Sequence, residues 1–139
     1  MNSHLRMLAA ALALTTAAAG AAHADTAPDK APKQGHSCFA TNTWRSWSVP
    51  ASGKGDVILL RINNNDVYRV DLSPGSHARK GPGEFLVNHV RGSNWICSAI
   101  DLDLTLSDDL GFRQPLIATS MRKLTPAEVA AIPKKDLPN

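Results

Sequence analysis

Cysteine is scarce in this chain: 139 residues hold two, Cys38 and Cys97, and no Cys-x-x-Cys pair. That removes the spacing a redox-active dithiol needs. Charge of one sign is also missing, since 15 Lys and Arg stand against 12 Asp and Glu. The basic residues fall in scattered pairs, Arg79-Lys80, Arg122-Lys123 and Lys134-Lys135, rather than along one element, so a nucleic-acid partner is not expected. Long apolar runs are absent with one exception, Met7 to Ala22. That run is mostly Ala, is broken by Thr15, Thr16 and Gly20, and has no stop-transfer charges after it. No cysteine follows it closely enough to carry a lipid.

Catalytic and metal motifs are missing as well. Nothing matches Gly-x-Ser-x-Gly, and Ser73-Pro74-Gly75-Ser76 reads as turn chemistry. Gly53-Lys54-Gly55-Asp56 is too short for a phosphate loop and leads into a strand rather than a helix. The acidic run from Asp101 to Asp109 has Leu106 where a calcium loop needs its turn glycine, and its alternating leucines keep the backbone extended. It reads as a strand edge and an acidic turn, with Asp108 and Asp109 the candidates for an ion. His36, His77 and His89 form no i,i+4 pair and share no metal-finger spacing with a cysteine. No metal and no cofactor are expected.

What is present begins with an address. Arg6, the apolar block and Ala22-His23-Ala24 form a signal peptide over residues 1–24, cut between Ala24 and Asp25. The protein is therefore expected in the periplasm or secreted, with no membrane span in the mature chain. An oxidising compartment favours a Cys38–Cys97 disulfide. Closing a loop of about 60 residues removes roughly 4 kcal/mol of unfolded-state entropy. Cys97 shares strand parity with Trp95 and Ala99, so the bridge should lie on that face and clamp the first strand.

Residues 25–36 carry Pro28, Pro32 and Gly35 without apolar periodicity and read as a flexible tether; 133–139, with two prolines and two lysines, reads as a frayed tail. Between them, 37–132 forms a single domain with mostly period-two patterning. Phe39 to Val49 is one strand. Val57 to Ile62 and Val67 to Leu72 make a hairpin, and a three-residue loop, Asn63 to Asn65, puts Ile58, Leu60, Ile62, Tyr68, Val70 and Leu72 on one face. Arg61, Arg69 and Asp71 then point away, and an asparagine takes the left-handed conformation. Glu84 to Val90 and Trp95 to Leu106 make a second hairpin across residues 91–94. Ile96, Ile100, Leu102, Leu104 and Leu106 share one parity there. Leu116 to Leu124 is the last strand, and Thr125-Pro126-Ala127-Glu128 starts a short helix with a capping box. The class is mainly β: a small antiparallel sandwich or partly open barrel of about six strands, with one short C-terminal helix.

Cys38-Phe39, the aromatic strand at Trp44 to Trp47, Val67-Tyr68-Arg69-Val70, Cys97 with Asp101, and Met121 to Glu128 occur in an order that resembles a family of small exported proteobacterial proteins carrying a domain of unknown function. The resemblance covers Ser37 to about Ile132. Many members of that family have two further cysteines, in regions held here by Ser73 to Ser76 and Arg113 to Pro115. Losing both together is what a second bridge in the family would imply. The resemblance carries no activity with it.

These readings lead to a non-enzymatic domain that binds an envelope protein or ligand. Trp44 and Trp47, three apart on a strand, either face opposite ways, so that one is an exposed anchor, or are both buried through a bulge or a twisted edge. The alternative is a periplasmic, hydrolase-like enzyme built from sequence-distant residues such as His89 and Asp101.

Overall fold

The computed structural model describes residues 37–139; the expected signal peptide, its cleavage point, the tether 25–36 and His36 lie outside them. Strands dominate. β1 (Phe39–Ala40), β2 (Trp44–Ser48), β3 (Val57–Ile62), β4 (Asp66–Leu72), β5 (Glu84–Asn88), β6 (Trp95–Ile96), β7 (Leu104–Asp108), β8 (Arg113–Leu116) and β9 (Ala118–Lys123) precede one helix, α1 (Pro126–Ala131). They form a four-stranded sheet β2-β3-β4-β9, a three-stranded sheet β5-β7-β8 and a two-stranded ribbon β1-β6, each antiparallel throughout. All three contribute to one core, in which Ile58, Leu60, Tyr68 and Val70 pack with Leu104, Leu106 and Leu116 and with Phe39 and Ile96. The result is an open sandwich rather than a closed barrel.

The first hairpin has the register its patterning dictates. Ile62 pairs with Asp66, Leu60 with Tyr68 and Ile58 with Val70, and Asn63 turns the corner at φ 53°. All six apolar residues of the expected face belong to the main core. The opposite face is buried too. Val57, Leu59 and Val67 form a second cluster with Leu124, Val129 and Ile132, because the C-terminal segment lies across it. A strand covered on both sides is why Val57-Ile58-Leu59-Leu60 is apolar without a break.

Three expected strands divide. Phe39 to Val49 breaks at a 3-10 turn over Thr41–Thr43, where the Thr43 hydroxyl donates to the Ala40 carbonyl at 2.6 Å and draws the backbone out of the ladder. Leu116 to Leu124 breaks at Ile117, which lets β8 join β7 and β9 join β4. Within Trp95 to Leu106, Asp101 folds residues 99–101 into another 3-10 turn by accepting from the Cys97 and Ser98 amides. The second hairpin is therefore corrected: β5 pairs with β7, Glu84 against Asp108 through Asn88 against Leu104, and Trp95-Ile96 pairs with β1 instead. Ile100, displaced onto the turn, is 91% exposed.

The tail 133–139 is docked rather than frayed. It makes a 3-10 turn at Lys134–Asp136, and the Ser48 hydroxyl and Arg61 Nε donate to the Asp136 and Pro138 carbonyls, each at 2.6 Å. Asp136 and Pro138 are buried. Satisfied carbonyls outweigh the local composition.

Candidate functional site

The outer face of the four-stranded sheet carries the site. Alternation along β3, β4 and β9 and the ladder register place Leu59, Arg69 and Arg122 in one cross-strand row, with Val57, Asp71 and Ser120 in the row beside it. The helix and tail cover part of this face and leave a groove of about 410 Å³ between them and the strands. Val57, Leu59 and Leu124 line it from the sheet, Ala131, Ile132 and Pro133 from the C-terminal segment, and Pro50 and Ser52 from the loop before β3; Arg69, Arg122 and Glu128 complete it. An apolar cleft of this size with a few convergent polar groups is the usual form of a ligand site.

Two arginines directly opposite one another repel unless anions stand near. Arg69 pairs with Asp71 at 2.8 Å and Arg122 with Glu128 at 2.7 Å. Both acids are held in turn. Burial pushes the Asp71 carboxyl up, but the Ser120 hydroxyl and Arg69 outweigh it and keep it below the ordinary carboxylate range. Glu128 is held down by the Thr125 amide first, then by Arg122 and the Thr125 hydroxyl. The Thr125 cap expected from the sequence thus doubles as the support of the Arg122 partner, with Thr125 N donating to Glu128 at 2.8 Å.

Trp44 and Trp47 lie elsewhere. A register shift between Trp44 and Ser46 cancels the alternation that would have put them on opposite faces, so Trp47 is buried and Trp44 packs partly buried against the same core. Lys80 sits over the Trp47 ring and donates to its carbonyl. The exposed tryptophan is Trp95, at 55%. It lies on the outer side of the β1–β6 ribbon, whose inner residues are Phe39 and Ile96.

Cys38 and Cys97 are bonded, with Cα atoms 4.1 Å apart, and tie the residue before β1 to the residue after β6. His77 pairs with Asp56 at 2.8 Å on the surface. His89 lines a shallow hollow of about 170 Å³ with Phe85, Ser107, Phe112 and Arg113. Among the described residues no hydrogen bond or ion pair joins His89 to Asp101, whose carboxylate serves the turn at Ser98. Asp108 accepts from the Leu110 and Phe112 amides, and no group of three or more potential metal ligands occurs among the described residues.

Arg69, Arg122 and the groove escaped the sequence reading. Their pairing joins strands separated by 45 residues of intervening chain, and only the unbroken apolar run in β3 signals that its second face is covered. No family model, no curated protein and no solved structure matches the chain.

Proposed function

We propose that this chain is an exported binding domain without catalytic activity, and that its ligand occupies the groove between the outer sheet face and the C-terminal segment. The observation that carries this reading is the groove itself, lined by apolar residues and by two guanidiniums, each paired with a carboxylate. The arrangement is supported from behind, since Asp71 and Glu128 each accept from neighbouring hydroxyl or amide donors. Export is supported by the signal-like first 24 residues and by the Cys38–Cys97 bond, and among the described residues no helix is long and apolar enough to cross a membrane. Membership of the exported family that the sequence resembles belongs to the same proposal.

The test is titration of the disulfide-bonded, isotope-labelled protein with anilinonaphthalene sulfonate, a probe with both an apolar body and an anionic head. Amide shifts at Val57, Leu59 and Leu124 are expected. Shifts confined to the Phe85 and Phe112 face would move the site to the three-stranded sheet. Intact-mass measurement on envelope protein should find a chain beginning at Asp25, and a full-length cytoplasmic product would refute export.

A further inference from the structure

We propose that the outer edge of β5 pairs with β5 of a second copy of this chain, antiparallel about Leu86, and so joins two three-stranded sheets into one. β5 is an end strand of its sheet. The His89 amide donates to the Asp103 carbonyl just before β7, at 2.9 Å, and the ladder continues in that phase with Val87 opposite Thr105 and Phe85 opposite Ser107. Hydrogen-bonding direction alternates along a strand, so the Leu86 and Asn88 amides and the Glu84 and Leu86 carbonyls point away from β7. Among the described residues none of these groups has a hydrogen-bond partner.

The other long edges are guarded against such pairing. β2 bends at a register shift, and Trp44 Nε1 and Lys80 Nζ already donate to its Ser46 and Trp47 carbonyls. β8 contains Pro115, which has no amide to give, and β9 carries Arg122 and Lys123 and a register shift of its own. β5 has none of these devices: its register runs unbroken from Glu84 to Asn88, without proline, lysine or arginine. Its one charge, Glu84, is engaged by Arg79 and the Gly81 amide.

An unpaired edge takes another strand, and the residues of β5 fit their own copy. In the antiparallel register about Leu86, that residue donates to and accepts from Leu86 of the second copy, and each Asn88 amide donates to a Glu84 carbonyl. Phe85, 45% exposed on the outer face, then lies opposite Val87 of the second copy, so the outward apolar side chains cover one another across the two-fold axis. Glu84 falls opposite the uncharged Asn88, whereas a parallel pairing in register would set Glu84 beside Glu84. Contact through one short strand makes the dimer weak and transient. The edge lies on the three-stranded sheet, apart from the groove, so its failure leaves the groove reading untouched.

Sedimentation velocity and amide spectra of the disulfide-bonded protein, from about 10 µM to about 1 mM, test the pairing. A dissociation constant of roughly ten to several hundred micromolar is expected, with concentration-dependent shifts centred on Leu86 and Asn88. Phe85→Lys and Val87→Glu should each weaken self-association about tenfold or more, because a charge on the edge opposes pairing. An equimolar mixture of the two variants should recover it, since the register sets the introduced charges opposite one another at one end and leaves Phe85 opposite Val87 at the other. Ile100→Lys, on the 91% exposed turn position, should change nothing. Spectra of each variant alone report that it is folded. A protein still monomeric at about 1 mM would overturn the dimer. So would a dimer that Ile100→Lys dissolves and Phe85→Lys leaves intact, and a mixture that fails to recover association would overturn the register.

Discussion

At the scale of single residues, the two faces of the first hairpin make opposite demands. Leu60 is fully buried between the sheets, whereas Arg69 stands on the outer face in a partly exposed ion pair with Asp71. Leu60→Ala should cost about 2 to 5 kcal/mol, through lost transfer energy and the cavity left behind. Arg69→Ala should cost under about 1 kcal/mol, because exposed ion pairs contribute little. Urea melts check both, and equal costs would contradict the register. The same contrast separates stability from binding: Arg69 is expected to matter to a ligand far more than to the fold. Trp47 is the reverse case. Its ring lies in the core under Lys80, so its truncation should damage folding first.

At the scale of elements, the C-terminal segment is a strap rather than an appendage. Its helix is short and owes its place to packing, with Val129 and Ile132 on the second apolar cluster and the Thr125–Glu128 box at its start. Its tail supplies carbonyls to Ser48 and Arg61. Ending the chain after Ile132 should destabilise the domain by roughly 1 to 3 kcal/mol, since two donors lose their acceptors. It should also remove the Pro133 side of the groove. Thermal melts of the truncated protein beside the full chain measure the first effect, and an unchanged midpoint would show that the tail is not docked in solution.

At the scale of the whole molecule, the disulfide and the carboxylates set the conditions under which the fold persists. The bridge spans a sequence separation of 59 residues and ties the two strands of the small ribbon to each other. Reducing it should lower stability by roughly 4 kcal/mol in the chain-entropy account, seen as a lower melting temperature with no free thiol titratable before reduction. Acid should act through Asp71 and Glu128, both held below the ordinary carboxylate range. A group whose folded pKa is depressed contributes fully above its unfolded value and loses that contribution as pH falls through the folded one. Stability should therefore decline from about pH 4 downward, and Asp71→Asn should flatten that decline. An identical acid profile in the variant would assign the effect to other carboxyls.

The amino-acid sequence by itself determined what is local. The Asn63–Asn65 loop, the hairpin register and the Thr125 cap follow from interactions within a few residues or from a period-two pattern that tolerates no one-residue slip. The Cys38–Cys97 pairing followed from having only two candidates. Tertiary structure alone decided which strand lies beside which. β5 chose β7 over the nearer segment because Asp101 bends residues 99–101 out of the ladder, and β9, pairing with β4, set Arg122 directly beside Arg69. The tail read as loose from its prolines and lysines, yet it docks because Ser48 and Arg61 offer donors that no local pattern reveals. The groove belongs to this second class. Each of its residues is ordinary in sequence, and their convergence is a product of strand order and of a strap folded back over a face that period-two reading assigns to solvent.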